Sequence, residues 1–293
     1  MSDVIVIGGG PAGMSAAIYA VRAGSQVMVL KGSASALEKA EMIENYYGFP
    51  EPISGAELQK RGEEQAKRLG VTIEEGQVVG LTWEDQLKVT TTDHTYEAGA
   101  VILATGTPRR EPKIQGFQRL DGMGISWCAI CDGFFCRGQD VAVLGAGEYA
   151  VHEAEILLPI ARSVTLLTNG EEPEVSLPAN LILETEKVTA LEGENGLEQI
   201  VLQDGRKLPI AKLFVALGVA GSSDLARKVG AFLEGNRIKV DEEMSTNVPG
   251  LFAAGDCTVG MLQVAKAVWQ GAQAGLSAAK YVRQKRAAAS SSN

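Results

Sequence analysis

Short apolar, β-branched runs alternate along this chain with glycine turns and with longer stretches of helical spacing. Residues 3–7 (Asp3-Val4-Ile5-Val6-Ile7) predict a strand, Gly8-Gly9-Gly10-Pro11-Ala12-Gly13 a turn, and the alanine-rich stretch to Ala23 a helix. A second strand follows at 26–30, an amphipathic helix at 55–69, and short strands near 71–73, 77–83 and 86–92 around the turn Glu84-Asp85. These three short strands predict a small antiparallel sheet. Another buried strand, 100–104, ends at Thr105-Gly106, and Pro108 stops it. The order then repeats: strand 140–144, glycine turn Gly145-Ala146-Gly147, helix to about Ile160, strand 163–167. Strands are expected at 181–191, 199–203 and 212–219, with Asp204-Gly205 a hairpin signal. A strand at 249–253 closes on Gly255-Asp256, a helix spans 262–285, and 287–293 reads as a disordered tail. Strand, glycine turn and helix occurring twice predict an α/β protein with two nucleotide-binding-type, Rossmann-like three-layer domains.

Composition narrows this picture in a few places. A length of 293 residues suffices for two domains with separate cores, and 45% hydrophobic residues with 34 glycines fit a compact α/β enzyme. The net charge of −9 argues against nucleic acid as a partner, whose phosphates need a basic surface. No run approaches the roughly 20 apolar residues of a membrane span, so no membrane role is expected. Four cysteines do not make a disulfide scaffold, and glycine and proline interrupt the apolar N-terminus, so a cytoplasmic, reducing setting is expected.

Chemistry concentrates in three places. In the first turn, Gly8 permits the tight bend, Gly10 lets the backbone approach a pyrophosphate, and Gly13 lets helix pack on strand, with Pro11 and Ala12 opening the helix. The acid that usually ends the second strand and holds a ribose is replaced by Lys31, which can contact adenosine or phosphate or simply be solvated. Asn45-Tyr46-Tyr47-Gly48-Phe49-Pro50 is a loop that can cover a ring system or merely pack. At the other end, Asp256 can bond a ribityl hydroxyl, and the following helix can aim its N-terminus at a flavin pyrimidine.

The third place is Trp127-Cys128-Ala129-Ile130-Cys131-Asp132-Gly133. Two thiols separated by two residues can close a disulfide, and the adjacent carboxylate can protonate a leaving thiolate. Zinc would need four ligands. The remaining candidates, Cys136, Cys257, His94 and His152, show no metal-site spacing, so no metal is expected. Cys136 and Cys257 read as small buried apolar residues. After the second glycine turn, Thr168-Asn169-Gly170-Glu171-Glu172 stands where a 2′-phosphate would require arginines, so NADPH is a poor fit.

Taken together and in this order, Gly8-Gly9-Gly10-Pro11-Ala12-Gly13, Ala104-Thr105-Gly106, Cys128-Ala129-Ile130-Cys131-Asp132-Gly133-Phe134-Phe135 and Ala253-Ala254-Gly255-Asp256 resemble the low-molecular-weight thioredoxin reductase family along nearly the whole chain. The resemblance implies FAD held by the first and last segments, at Gly8, Gly10, Pro11, Ala12, Gly13, Lys31, Asn45, Thr105, Gly106, Gly255, Asp256, Gln263 and Val264. It implies a discontinuous FAD domain (1–117 and 245–286) with a redox-dithiol domain of degenerate NAD(P)-type fold inserted at 118–244. By position, Cys131 faces the flavin, Cys128 attacks the partner disulfide, and Asp132 is the acid. A homodimer and domain rotation during turnover are also implied.

Several positions depart from the family. Its phosphate-gripping His-Arg-Arg is absent, its Arg-Gln-Ala appears as Leu262-Gln263-Val264, its Gly-Gly-Gln is replaced within 33–37, and Trp269 stands where glycine is usual. The pattern resembles the NADPH-independent branches, the ferredoxin-linked flavin thioredoxin reductases and the diflavin-linked disulfide oxidoreductases. In the diflavin branch a second FAD would lie near Trp269, Tyr46 or Tyr47. The expected activity is electron transfer from ferredoxin, docked at Arg109, Arg110 and Lys113, through FAD and the dithiol to a thioredoxin-like disulfide. An oxygen-dependent dithiol oxidase, an NAD(P)H-dependent thioredoxin reductase and a non-catalytic redox sensor remain open alternatives.

Overall fold

A computed structural model describes residues 2–32, 35–106, 112–173, 175–218 and 220–291. The chain opens with β1 (Ser2–Ile7), α1 (Pro11–Arg22) and β2 (Val27–Lys31). It continues through α2 (Gly55–Arg68), β3 (Thr72–Glu75), β4 (Val78–Trp83), β5 (Leu87–Thr91) and β6 (Thr95–Leu103). The middle holds α3 (Phe117–Leu120), β7 (Ile125–Ser126), α4 (Ala129–Asp132), β8 (Asp140–Leu144), α5 (Glu148–Leu157) and β9 (Ser163–Leu167). Then come β10 (Ile182–Glu184), β11 (Val188–Glu192), β12 (Gln199–Leu202), β13 (Lys207–Pro209) and β14 (Lys212–Val215). Last are α6 (Ser222–Lys228), β15 (Leu233–Glu234), β16 (Arg237–Ile238), β17 (Leu251–Ala253) and α7 (Val264–Ser291).

The fold is α/β with parallel-sheet, Rossmann-like units, as the two glycine turns predict. Contacts divide it into one unit of 1–108 and 221–293 and another of 109–220. The insert therefore ends earlier than the expected 244. Residues 221–244 belong with the first unit because Ser222 bonds Thr105, Ile238 donates to the Cys257 carbonyl at 2.8 Å, and Met244 is buried in that unit's core.

In the first unit the sheet runs β3-β2-β1-β6-β5-β4, and β17 also pairs with β6. Strand β6 is the hinge of this arrangement. Its start, 95–98, pairs antiparallel with β5, whereas 101–103 pairs parallel with β17. β3 pairs parallel with β2, so it extends the parallel sheet and does not join the antiparallel one expected for it. Helix α7 lies across α1 at very short range: a Cβ at Gly271 or Gly275 would stand 2.1 Å or 2.2 Å from the carbonyl oxygens of Ala12 and Ala16. Alanines of both helices fill the rest of that seam. The expected disordered tail is instead helical as far as Ser291, because three alanines extend a helix at little cost and Ser290 Oγ bonds the Arg286 carbonyl at 3.0 Å.

In the second unit, β10-β9-β8-β14-β7 form a parallel sheet and β11-β12-β13 an antiparallel one. The single strand expected at 181–191 is two strands in two different sheets. The polar link Thr185-Glu186-Lys187 breaks it, with Glu186 N–H bonded to Glu184 Oε1 at 3.0 Å. Phe117, Leu144, Ile200 and Leu213 centre the core beneath both sheets.

Candidate active site and cofactor cradle

Cys128 and Cys131 are joined in a disulfide with their Cα atoms 5.3 Å apart. Cys128 caps the one-turn helix α4, and its sulfur accepts the Cys131 N–H at 3.2 Å. The two ends differ in access: Cys128 is buried, and Cys131 is exposed. The expected acid sits at the end of the same turn. Asp132 Oδ2 accepts from Ser126 Oγ at 2.6 Å, and Ser126 Oγ in turn accepts the Cys128 N–H at 3.2 Å. One hydroxyl on β7 thus ties the carboxylate to the first cysteine.

A second carboxylate, Glu153 of α5, is 1% exposed and accepts the Ala129 N–H at 2.8 Å, which fixes α4 from behind. Neither Ser126 nor Glu153 was a sequence candidate. Ser126→Ala removes the one side-chain donor to Asp132 among the described residues and the acceptor of the Cys128 N–H, so disulfide turnover should fall about tenfold with a modest fall in melting temperature. Parallel rate and melting measurements check this. Cys136 is buried, with its thiol pushed up by burial and its sulfur 3.6 Å from the Asp132 carbonyl, consistent with packing. Phe134 and Phe135 stand 67% and 70% exposed beside the disulfide.

The first glycine turn is built for close approach. Gly8 has φ +114°, and a Cβ there would lie 2.3 Å from the Ala104 carbonyl oxygen. Gly10 caps α1, and Pro11 occupies its first turn, as expected of a helix whose N-terminus receives an anion. Lys31 is partly exposed and ion-paired. Its ammonium bonds Glu63 Oε1 at 2.9 Å, an interaction that raises the Lys31 pKa. Burial pushes the Glu63 carboxyl up, but bonds from Gln59 and Lys31 outweigh it and hold the group low. Gln59 also donates to the Gly9 carbonyl at 2.6 Å. Glu63 of α2 thus pairs with Lys31 at the end of β2. The sequence carries a local signal for this pair in the spacing of Gln59 and Glu63, i and i+4 on one helical face.

At the other end, Asn45 Nδ2 donates to Gln263 Oε1 at 3.0 Å, joining two expected cofactor residues 218 positions apart. Gln263 accepts the first α7 bond, from Ala267 N–H, immediately before Val264. Thr105, followed by Gly106, is locked to Ser222 through Oγ1 at 2.8 Å. The turn Gly255-Asp256 is held by Gln270, whose Oε1 accepts from Gly255 N–H at 2.9 Å and Thr258 Oγ1 at 2.8 Å. Asp256 Oδ1 is buried without a hydrogen-bond partner among the described residues. Burial raises its pKa against the pull of Lys266 and Arg237. An orphaned carboxylate oxygen and a glycine turn that admits no Cβ fit a hydroxyl-rich dinucleotide such as FAD. Cys257 is buried, bonds backbone carbonyls and is pushed up to about 11 by burial, as packing predicts. Tyr46 stacks on Phe49 at 6.0 Å, Tyr47 is 98% exposed, and Trp269 is 57% exposed.

The sequence matches the pyridine nucleotide-disulphide oxidoreductase family over residues 2–271. It is 39% identical to a thioredoxin reductase of Mycolicibacterium smegmatis over 272 residues, 87% of this chain and 88% of that one. The chain belongs to the thioredoxin reductase group of that family.

Among solved structures, the atypical thioredoxin reductase TRi from Desulfovibrio vulgaris Hildenborough aligns with TM-score 0.91 at 38% identity, covering 97% of this chain and 99% of that one. A ferredoxin-flavin thioredoxin reductase from Clostridium acetobutylicum aligns with TM-score 0.72 at 32% identity, covering 97% and 98%. As a thioredoxin reductase-type chain, this protein is a flavin disulfide oxidoreductase, and its family implies FAD. No helix among the described residues is long and apolar enough to cross a membrane.

The second glycine turn keeps its shape. A Cβ at Gly145 would meet the Ala216 carbonyl oxygen at 2.3 Å, and Gly147 caps α5. Beyond β9, Glu171 and Glu172 are exposed, and Thr168 is buried with no partner for Oγ1 among the described residues. The arginines nearest in sequence are committed elsewhere, Arg162 to Asp140 and Arg206 to Glu184 and Asp204. Of the expected docking patch, Lys113 is exposed, and Arg109 and Arg110 lie outside the described residues.

Proposed function

We propose that this chain passes electrons from a ferredoxin-like donor, and not from NADPH, through FAD to the Cys128–Cys131 disulfide and on to a thioredoxin-like protein disulfide. The observation that carries this reading is the loop after β9, where exposed Glu171 and Glu172 replace the cations a 2′-phosphate needs. FAD, when bound, supplies the relay between a one-electron donor and a two-electron disulfide. The chain's residues do the rest. With both cysteines reduced, Cys128 attacks one sulfur of the partner disulfide. The partner's other sulfur leaves as a thiolate, and Asp132 protonates it. Cys131 then attacks the mixed disulfide, which restores the Cys128–Cys131 bond and frees the partner as a dithiol. Because Cys128 is buried, α4 must be uncovered before it can attack. Exposed Ile130, Phe134 and Phe135 give a partner an apolar surface beside the reacting sulfurs. The chain works as a homodimer in a reducing, cytoplasmic setting.

A second reading, NAD(P)H dependence, draws on the intact Gly145–Gly147 turn at the head of α5. A coupled assay of thioredoxin-dependent insulin reduction separates the two. Sustained turnover with reduced ferredoxin, and at least about a hundredfold less with NADPH or NADH, is expected. Equal turnover with NADPH would overturn the reading.

A further inference from the structure

Lys266, in the first turn of α7, is 8% exposed, an unusual place for an ammonium. Its Nζ donates to the carbonyls of Gly255 at 3.1 Å and Thr258 at 3.2 Å, so it sits directly beneath the turn that carries Asp256. Arg237 of β16 reaches the same turn, donating through Nη1 to the carbonyls of Asp256 at 3.0 Å and Thr258 at 2.9 Å. Two cations thus converge on one turn whose carboxylate keeps a buried oxygen with no hydrogen-bond partner among the described residues. Satisfying two carbonyls does not require a charge. A neutral amide N–H donor would do so at lower desolvation cost.

We infer that Lys266 is a positioning residue whose buried charge keeps Asp256 ionised and sets the electrostatic environment, and so the reduction potential, of a flavin held at this turn. The inference rests on reading that turn as part of the FAD cradle. The groups facing Asp256 are Lys266 on α7 and Arg237 on β16, and Cys257 faces Lys266. Cys257, pushed up to about 11, is a neutral thiol at physiological pH and adds no charge. Burial lowers Lys266 and raises Asp256, and each group's charge opposes the other's shift. Without the lysine, Asp256 would take its proton at a higher pH. A flavin held at this turn would feel that positive charge, which would favour its reduced, more negative form, so loss of the charge should make the potential more negative.

The test uses purified holoprotein with Lys266→Gln and Lys266→Arg. Released FAD is read by fluorescence as pH falls, and the flavin potential is read by equilibration with a reference dye. In Lys266→Gln the pH of half-release should rise by about one unit and the potential move negative, with Lys266→Arg close to the parent. Coincident profiles, or weaker binding by the same factor at every pH with the potential unmoved, would overturn the inference. Asp256→Asn, which keeps the lysine, should flatten the pH dependence; a surviving acid limb would also overturn it. A parent chain that takes up no FAD overturns both the cradle and the lysine. No donor enters these measurements, so failure of the ferredoxin reading leaves them unaffected.

Discussion

Cys131→Ser is expected to abolish steady-state disulfide reduction, by on the order of a thousandfold or more, and to leave Cys128 able to form a mixed disulfide that nothing resolves. The product should be a covalent adduct with a thioredoxin-like partner, seen as a mass shift on non-reducing electrophoresis and reversed by dithiothreitol. Cys128→Ser should be equally inactive without trapping the partner. The contrast matters because Cys131 is the exposed member of the pair in this structure and Cys128 the buried one. If Cys128→Ser traps the partner and Cys131→Ser does not, the roles are reversed, and the exposed sulfur is the attacking one. Glu153 and Ser126 hold α4 by its first amide and its terminal carboxylate, so both variants should keep the local fold.

The second large effect is expected at Gly8. Alanine there must hold φ near +114° and place its Cβ 2.3 Å from the Ala104 carbonyl oxygen and 2.9 Å from the Thr105 amide nitrogen. Neither can be relieved by a side-chain rotation, because both neighbours are backbone. Gly8→Ala should cost about 3 to 5 kcal/mol, from backbone strain and overpacking together, and should yield protein without bound flavin. Absorbance at the flavin bands after gel filtration, with thermal melting alongside, checks both. A normal flavin ratio would show that the turn does not form the cradle.

Much of this was legible because the signals are local. A β-branched run of five residues, a glycine turn and an alanine helix can fold together in only a few ways, and both copies formed as read. Strand pairing was harder, since it depends on distant partners. Residues 71–73 carry nothing to show that they would pair parallel with β2, and one apolar stretch at 181–191 split between two sheets at a polar link. The sites followed the same rule. The adjacent Cys128, Cys131 and Asp132 were readable from spacing, whereas Ser126, Glu153, Glu63, Arg237 and Lys266 reach them only through the fold. Lys31 shows the limit most clearly. Nothing local to its place in the sequence announces its bond to a glutamate 32 residues away.

The most direct test of electron flow is anaerobic. Oxidised protein with FAD bound is mixed in separate cuvettes with NADPH, NADH and photoreduced ferredoxin, and the flavin absorbance is followed before and after adding thioredoxin disulfide. Prompt bleaching by ferredoxin alone, followed by recovery of the flavin band and the appearance of two thioredoxin thiols, is the predicted result. Prompt bleaching by NADPH would contradict it, and would mean that the loop from Thr168 to Glu172 accepts a phosphate in spite of its charge.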